Sequence, residues 1–183
     1  LNTQFRTGQK SSVALLVNYI DYTAQIPSSI NQTDFEENPT RAASNWLAAQ
    51  GYEANTYILT GLSHTYQFSE HLQNTTSIFY SYLDHYEPRP FNILDEFTNG
   101  YGFRSRFTGN WRKADFSFGA EFYRDEYHWG TFENLYQENN GNGSLVGDQL
   151  SDNIEFRRQF NLFGTLTYPI TSNLSAQMGI NWN

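Results

Sequence analysis

Residues that could carry acid–base or metal chemistry are few in this 183-residue sequence, and they lie far apart. Asp84 and His85 are adjacent, so in a strand they would point to opposite faces and would not act as a catalytic pair. The chain has no Cys for a thiolate site. The histidines have no partner at the i+2 or i+4 spacing of local metal sites; they are His64, His71, His85 and His128. We therefore predict a protein that is not an enzyme and has no metal site and no cofactor.

Arginines and aromatic side chains are better candidates, and the chemistry they offer is ligand binding. Arg89 lies between two prolines that stiffen its backbone. Its guanidinium could bind an anionic chelate through paired hydrogen bonds, or it could hold the segment together by pairing with Glu87 or Asp95. Three aromatic residues, Tyr127, Trp129 and Tyr136, begin or populate a long polar loop rich in Asn and Gly. Their rings could stack on a ligand or pack the loop.

Arg104 and Arg106 share the polar face of a strand whose other face is apolar. That other face reads Tyr101, Phe103, Ser105, Phe107, Gly109 and Trp111. If the strand crosses a membrane, charge on the lipid side would cost about 2–4 kcal/mol at the midplane, so both arginines would point into the lumen. There they could pair with Glu121 or Asp115 of the next strand, or contact a ligand or an internal domain.

Period-two alternation is the pattern that would position these side chains, because successive side chains of a strand point to opposite faces. It predicts seven or eight strands and almost no helix. The predicted strands cover residues 1–6, 12–23, 56–68, 72–86, 101–111, 114–122, 154–168 and 174–182. One helix is expected in a link, opening at Asn38-Pro39 and ending at Gly51. It could lie over a barrel mouth or simply stiffen its loop.

The links between these strands alternate between long and short. Long links are expected near residues 24–55, 87–99 and 129–153, and short turns near 69–71, 112–113 and 169–172. Most of the strands exceed the 5–6 residues typical of globular proteins, and a tilted membrane strand needs about 9–11. The sequence thus predicts an all-β fold, an antiparallel transmembrane β-barrel segment with long extracellular loops and short periplasmic turns. A soluble β-sandwich also alternates and remains the alternative.

Composition excludes several classes of protein. The net charge of −8 argues against a nucleic-acid partner. Aromatic residues make up 17% of the chain, which argues against disorder despite a mean hydropathy of −0.64. Both terminal strands look clipped, so we expect an excerpt of a larger barrel rather than a small closed one.

Several segments resemble the barrel domain of TonB-dependent outer-membrane receptors, in particular ferric-siderophore receptors of the kind found in Bacteroidetes. The resemblance covers most of residues 11–125. It is carried by VNY at 17–19, AQIPSS at 24–29, FEENP at 35–39, AASNW at 42–46, GYE at 51–53, GLS at 61–63 and YEPRPFNILDE at 86–96.

The resemblance implies that residues 1–183 are part of a 22-stranded barrel domain without its internal plug. It implies a location in the outer membrane of a Gram-negative bacterium, in contact with outer-membrane lipid. The function it implies is energy-coupled uptake of a scarce nutrient, most simply a ferric siderophore, with an inner-membrane energy-coupling complex reached through the missing plug. Cobalamin or an oligosaccharide is the alternative nutrient. A soluble β-sandwich that binds carbohydrate is the alternative from another class.

Overall fold

Segments of alternating apolar and polar residues form eight β-strands in the computed structural model, which describes residues 1–183. The strands are β1 (Asn2–Arg6), β2 (Ser11–Gln25), β3 (Tyr52–Ser69), β4 (Leu72–Arg89), β5 (Asn92–Trp111), β6 (Ala114–Asn134), β7 (Val146–Pro169) and β8 (Ser175–Trp182). Two short helices, α1 (Gln32–Glu37) and α2 (Ser44–Ala49), lie between β2 and β3. Neither helix has the length and apolar character needed to cross a membrane. The expected all-β chain is confirmed.

Each strand pairs in antiparallel fashion with the next one along the chain, so the spatial order is the sequence order. β1 pairs only with β2, and β8 only with β7, so the eight strands form an open sheet and not a small closed barrel. There is one sheet and no second layer on it. The β-sandwich considered above is therefore wrong, because a sandwich buries the apolar faces of two sheets against each other.

The prediction of a second long link, at residues 87–99, is wrong. β4 continues to Arg89 and β5 begins at Asn92, so Pro90 and Phe91 form a tight turn. The strict alternation of long and short links therefore fails at this position. Residues 92–100 mix charged, Asn and Gly residues with Ile93, Leu94 and Phe97 in no clean alternation, so the sequence does not mark them as a strand.

The other two long links exist but are shorter than expected, at residues 26–51 and 135–145. The helix expected to open at Asn38 begins instead at Ser44, because Asn38 caps the end of α1 through a hydrogen bond from its backbone N–H to the Asp34 carbonyl (2.8 Å). The sequence missed α1, whose N-cap Asn31 accepts a bond from the Asp34 N–H at 2.8 Å. The expected end near Gly51 is confirmed, since α2 stops at Ala49 and Gln50 is left-handed (φ 51°).

One face of the sheet carries an exposed apolar belt next to the short turns. Strand register places Phe103 opposite Phe122 and Phe107 opposite Phe118, and the latter two rings stack with centroids 5.2 Å apart. The belt residues are Leu62, Ile78, Phe103, Phe107, Phe118, Phe122, Leu162, Leu166, Met178 and Ile180. Ile78 is 57% exposed, and only 10 of 183 residues are buried. Much of the apolar surface of this chain is therefore exposed.

Three polar residues within this apolar face bond to one another. The Asn74 amide donates to the Ser105 hydroxyl oxygen at 3.0 Å, and the Thr76 hydroxyl lies 2.8 Å from the Ser105 hydroxyl. Thr76 also donates to the Asn74 carbonyl oxygen at 2.8 Å. Polar groups that satisfy each other in this way do not depend on water, which is the arrangement required on a surface in contact with lipid.

The strands extend well beyond the belt on the side of the long links. β6 begins at Ala114 and continues to Asn134, whereas its apolar alternation stops after Phe122. A tilted strand crosses a hydrocarbon core in about 9–11 residues, so roughly half of β6 lies beyond such a core. Most side chains on both faces of this half of β6 are polar.

Candidate ligand-binding wall on the polar face

Beyond the belt, the polar face of β3–β7 gathers charged and aromatic side chains into one surface, which we call the polar wall. The strand register aligns its members on neighbouring strands: His85 lies opposite Glu96, and Glu96 lies opposite Trp129. The members of the polar wall are Glu53, Asn55, His85, Glu87, Arg89, Glu96, Asp125, Tyr127, Trp129, Glu155 and Arg157. Side chains two apart on one strand share a face, which is why the sheet assembles them.

Arg89 is held on the polar wall by several partners. Its Nε donates to the Asn92 Oδ1 at 2.9 Å, and its Nη1 lies 3.5 Å from a Glu87 carboxylate oxygen. Its guanidinium also sits 5.0 Å from the centroid of the Phe91 ring. The expected pairing with Glu87 is confirmed, whereas Asp95 lies on the opposite face. The Arg89 side chain is therefore held in place near the long-link end of the wall. Its Nε–H is already engaged in a hydrogen bond.

A hydrogen-bonded chain crosses the wall on β2, β3 and β4. The Asn55 Oδ1 lies 2.7 Å from the His85 Nδ1, and because that oxygen only accepts, Nδ1 carries the proton. The Asn55 amide donates to the Tyr22 hydroxyl oxygen at 3.0 Å, and the Tyr22 hydroxyl donates to Glu53 at 3.0 Å. The His85 Nε2 lies 3.6 Å from a Glu87 oxygen. This chain fixes the orientation of each ring that it contains.

A second set of contacts lies on β5, β6 and β7. The Tyr127 hydroxyl donates to a Glu96 carboxylate oxygen, and the Trp129 Nε1 donates to the Glu155 Oε1 at 3.1 Å. Burial, and after it the bond to Glu96, raises the pKa of Tyr127 to about 12. The Arg157 guanidinium lies 5.5 Å from the centroid of the Tyr127 ring.

The charge of the wall is predominantly negative. Arg157 donates to Asp125 at 2.9 Å, and Arg89 pairs with Glu87, so two carboxylates have an arginine partner. The other three accept hydrogen bonds only from aromatic donors on neighbouring strands; the pairs are Glu53 with Tyr22, Glu96 with Tyr127, and Glu155 with Trp129. A surface of carboxylates beside aromatic rings favours ligand groups that donate hydrogen bonds or stack on rings.

The five ligand-binding residues predicted from the sequence fall in three places. Arg89 and Trp129 lie on the polar wall. Tyr136 lies in the link between β6 and β7, where its hydroxyl accepts a bond from Gln137 at 3.2 Å. Arg104 and Arg106 lie deeper, on the polar face behind the belt. Arg104 lies 3.5 Å from a Glu121 carboxylate oxygen, which is one of the alternatives that the sequence left open.

Sequence reasoning missed Glu96, Asp125, Glu155 and Arg157 as residues of the wall. It named Tyr127, but in a polar loop, whereas Tyr127 lies on β6. Tyr123, Asp125, Tyr127 and Trp129 continue the polar-face positions of β6 at a spacing of two. Extending the alternation of β6 past Phe122 would have placed Asp125 on the polar face, although the apolar residues of the other face end at Phe122.

The rim above the wall joins all three links at this end of the sheet. The Ser144 hydroxyl donates to the Ala49 carbonyl at 2.7 Å, and the Asn134 amide donates both to that hydroxyl oxygen at 2.8 Å and to the Arg89 carbonyl at 2.9 Å. The Trp46 ring meets the Phe91 ring edge-on, with centroids 6.4 Å apart. The rim is thus a small packed unit formed by α2, the Pro90-Phe91 turn and residues 135–145.

Solved structures that share this fold include a transporter and a receptor. The ferric citrate transporter FecA in its unliganded form matches with a TM-score of 0.75 at 11% sequence identity, over 98% of this chain and 28% of that chain. BauA, the ferric preacinetobactin receptor from Acinetobacter baumannii, matches with a TM-score of 0.54 at 9% identity, over 98% of this chain and 35% of that chain. No family model and no curated protein sequence matches the chain.

These likenesses show the fold alone, because the sequence identities are so low. The chain has the fold of an antiparallel β-barrel wall. It spans 35% or less of the length of either matched structure.

Proposed function

We propose that this chain is part of the barrel wall of an outer-membrane receptor of the TonB-dependent type, which takes up a scarce nutrient in a Gram-negative bacterium. The observation that supports the proposal is the exposed apolar belt, which is about one membrane crossing tall and backed by a polar face. A soluble protein rarely exposes so large a contiguous apolar surface. The belt accordingly contacts outer-membrane lipid, and the long-link end lies outside the cell.

A ferric siderophore is the first nutrient to consider. Both matched proteins handle ferric complexes by their descriptions, a transporter of ferric citrate and a receptor for ferric preacinetobactin. Within this chain Arg89, Trp129 and Tyr136 would contact the ligand near the rim. Arg104 and Arg106 would contact it, or an internal plug, deeper in the lumen. The plug and the inner-membrane energy-coupling complex are partners of the complete receptor and belong to the proposal.

An oligosaccharide or cobalamin is the second candidate, and the charge of the polar wall favours it. Three of the carboxylates on this wall have no cationic partner, and each lies beside a tyrosine or tryptophan ring. Hydroxyl groups of a sugar donate to carboxylates, and sugar rings stack on aromatic faces. A strongly anionic ferric chelate would instead need the arginines to outweigh this negative charge.

Ligand titration in detergent tests the proposal. Quenching of tryptophan fluorescence is measured with a ferric hydroxamate, a ferric catecholate, cobalamin and a maltooligosaccharide series. Trp129→Phe should remove most of the ligand-dependent signal, whereas Trp111→Phe at the opposite end of the sheet should leave it unchanged. Saturable quenching by one ligand class identifies the nutrient. Absence of binding by every class, with a chain that stays soluble and monomeric without detergent, would overturn the proposal.

A further inference from the structure

Two arginines lie side by side on the apolar face, where the belt ends. Arg124 on β6 and Arg158 on β7 are direct register partners. The pair in the next position toward the short turns on this face is Phe122 opposite Phe160. Arg124 also lies opposite Tyr101 on β5. Two cations therefore border an apolar surface on the outer side of the sheet.

Neither arginine has an acidic partner. No carboxylate oxygen lies within 4.0 Å of either guanidinium. Glu126 is the nearest acidic residue along β6 on this face, and its Oε1 lies 2.5 Å from the His128 Nε2. The Arg124 guanidinium lies instead 5.9 Å from the centroid of the Phe156 ring. Both guanidiniums thus keep nearly all of their hydrogen-bond donors free.

Such an arrangement is unfavourable by itself, because like charges directly opposite each other in a sheet repel. The repulsion is relieved when an anion lies between the two side chains. Arginine forks bind phosphate oxygens in a bidentate fashion, which makes a phosphate group the best match for two adjacent guanidiniums.

The height of the pair on the sheet identifies the source of that phosphate. Arg124 lies about one membrane crossing (9–11 residues) along β6 from Ala114, which begins the strand at the short-turn end. Tyrosines occupy the same border on neighbouring strands: Tyr80 donates to Asn99 at 2.8 Å and Tyr82 to Asp84 at 3.2 Å. Tyrosine at this depth is typical of the interface between lipid chains and headgroups.

We propose that Arg124 and Arg158 form a binding site for the phosphate of an anionic membrane lipid in the leaflet at the long-link end. The phosphate lies between the two guanidiniums, and the acyl chains lie on the belt against Phe122, Phe160 and their neighbours. The site rests on the proposed function, since it requires the belt to be embedded in a bilayer. It is separate from the polar wall, which lies on the opposite face.

The double variant Arg124→Gln/Arg158→Gln tests the site against the matched control Arg6→Gln/Arg106→Gln. The control removes the same charge from the polar face, since Arg6 lies opposite Ser12 and Arg106 opposite Gly119. The intact chain is reconstituted in phosphatidylcholine vesicles that contain one-fifth phosphatidylglycerol. It is then extracted in mild detergent, and retained lipid is counted by native mass spectrometry.

We expect the unmodified chain and the control to retain phosphatidylglycerol preferentially. The preference of the double variant should be about 25-fold lower, because each of the two basic residues near an anionic lipid surface contributes about fivefold. Equal preference in all three proteins would overturn the site. Displacement of the lipid by millimolar inorganic phosphate would also overturn it, since the pair would then be a simple anion site. Co-flotation with vesicles is scored separately, and its failure in every protein would refute membrane embedding instead.

Discussion

Two arginine–carboxylate pairs on the polar face differ sharply in burial, and that difference decides what each contributes to stability. Asp125 is 4% exposed and meets Arg157 at 2.9 Å, whereas Arg104 and Glu121 are 51% and 32% exposed and lie 3.5 Å apart. An exposed pair contributes about 0–1 kcal/mol. Removal of the partner of a buried carboxylate costs more, because the charge stays desolvated.

Arg157→Gln should therefore destabilise the chain more than Arg104→Gln does. We expect a loss of about 1–3 kcal/mol for Arg157→Gln, reduced from the value for a fully buried pair because Arg157 is itself 59% exposed. Arg104→Gln should cost less than about 1 kcal/mol. Urea unfolding of the chain from lipid vesicles gives both values. Equal losses would show that water reaches Asp125 more freely than its burial suggests.

Tyr127 gives the polar wall a stability contribution that depends on pH. Its pKa is about 12 in the folded chain, above the ordinary value of 10.0, so folding favours the protonated hydroxyl. This contribution is fully present below pH 10 and is lost as the pH rises through 12. Tyr127→Phe should lower stability at neutral pH by about 1 kcal/mol through loss of the bond to Glu96.

The measurement for Tyr127 is the difference in tyrosinate absorbance between the unmodified chain and Tyr127→Phe. Tyr127 should titrate about two pH units above an exposed tyrosine, and this transition should be missing from the curve of the variant. A difference curve centred near pH 10 would contradict the burial and the bond to Glu96 together.

At the scale of elements, the position of α2 depends on one glycine. A Cβ built on Gly51 would lie 2.4 Å from the Trp46 ring and 3.1 Å from the Pro88 carbonyl oxygen. Gly51→Ala should therefore displace Trp46 and loosen the packed rim. In Gly179→Ala the new Cβ would meet its nearest atom at 3.7 Å, so this variant is the matched control.

Limited proteolysis of residues 26–51 measures that loosening. We expect cleavage within this link to be several-fold faster in Gly51→Ala than in the unmodified chain, because local opening becomes easier when packing is lost. Gly179→Ala should be cleaved at the unmodified rate. An unchanged rate in Gly51→Ala would mean that the rim is held by the hydrogen bonds of Asn134 and Ser144 alone.

Sequence reasoning predicted the parts of the strands that have one clearly apolar face, and it missed the parts that have none. β5 was predicted from Tyr101 but begins at Asn92, and β6 was predicted to end at Phe122 but continues to Asn134. Beyond the belt no apolar face marks the alternation, so these segments were read as loops. The same loss hid part of the polar wall, because Glu96 lies in the predicted link and Asp125 lies beyond the predicted end of β6.

At the scale of the whole molecule, the two faces of one strand should respond oppositely to the same added charge. Phe118 lies in the belt, and Ser117, its neighbour in sequence, lies on the polar face opposite Thr108 and Thr165. An arginine on a lipid face costs about 2–4 kcal/mol near the midplane, whereas an arginine on the lumen face is solvated. This contrast follows from the fold only if the belt is the surface that meets lipid.

Phe118→Arg should therefore fold into lipid vesicles with a loss of about 2–4 kcal/mol, and Ser117→Arg with little loss. Urea titration of the reconstituted chain measures both, and the loss in Phe118→Arg should shrink in vesicles with shorter acyl chains, because thinner bilayers bring water closer to the new charge. If instead Phe118→Arg makes the chain soluble without detergent and leaves its fold unchanged, the belt is a protein-contact surface. In that case the polar face and its wall would remain the ligand surface, but the membrane would no longer be what holds the sheet in place.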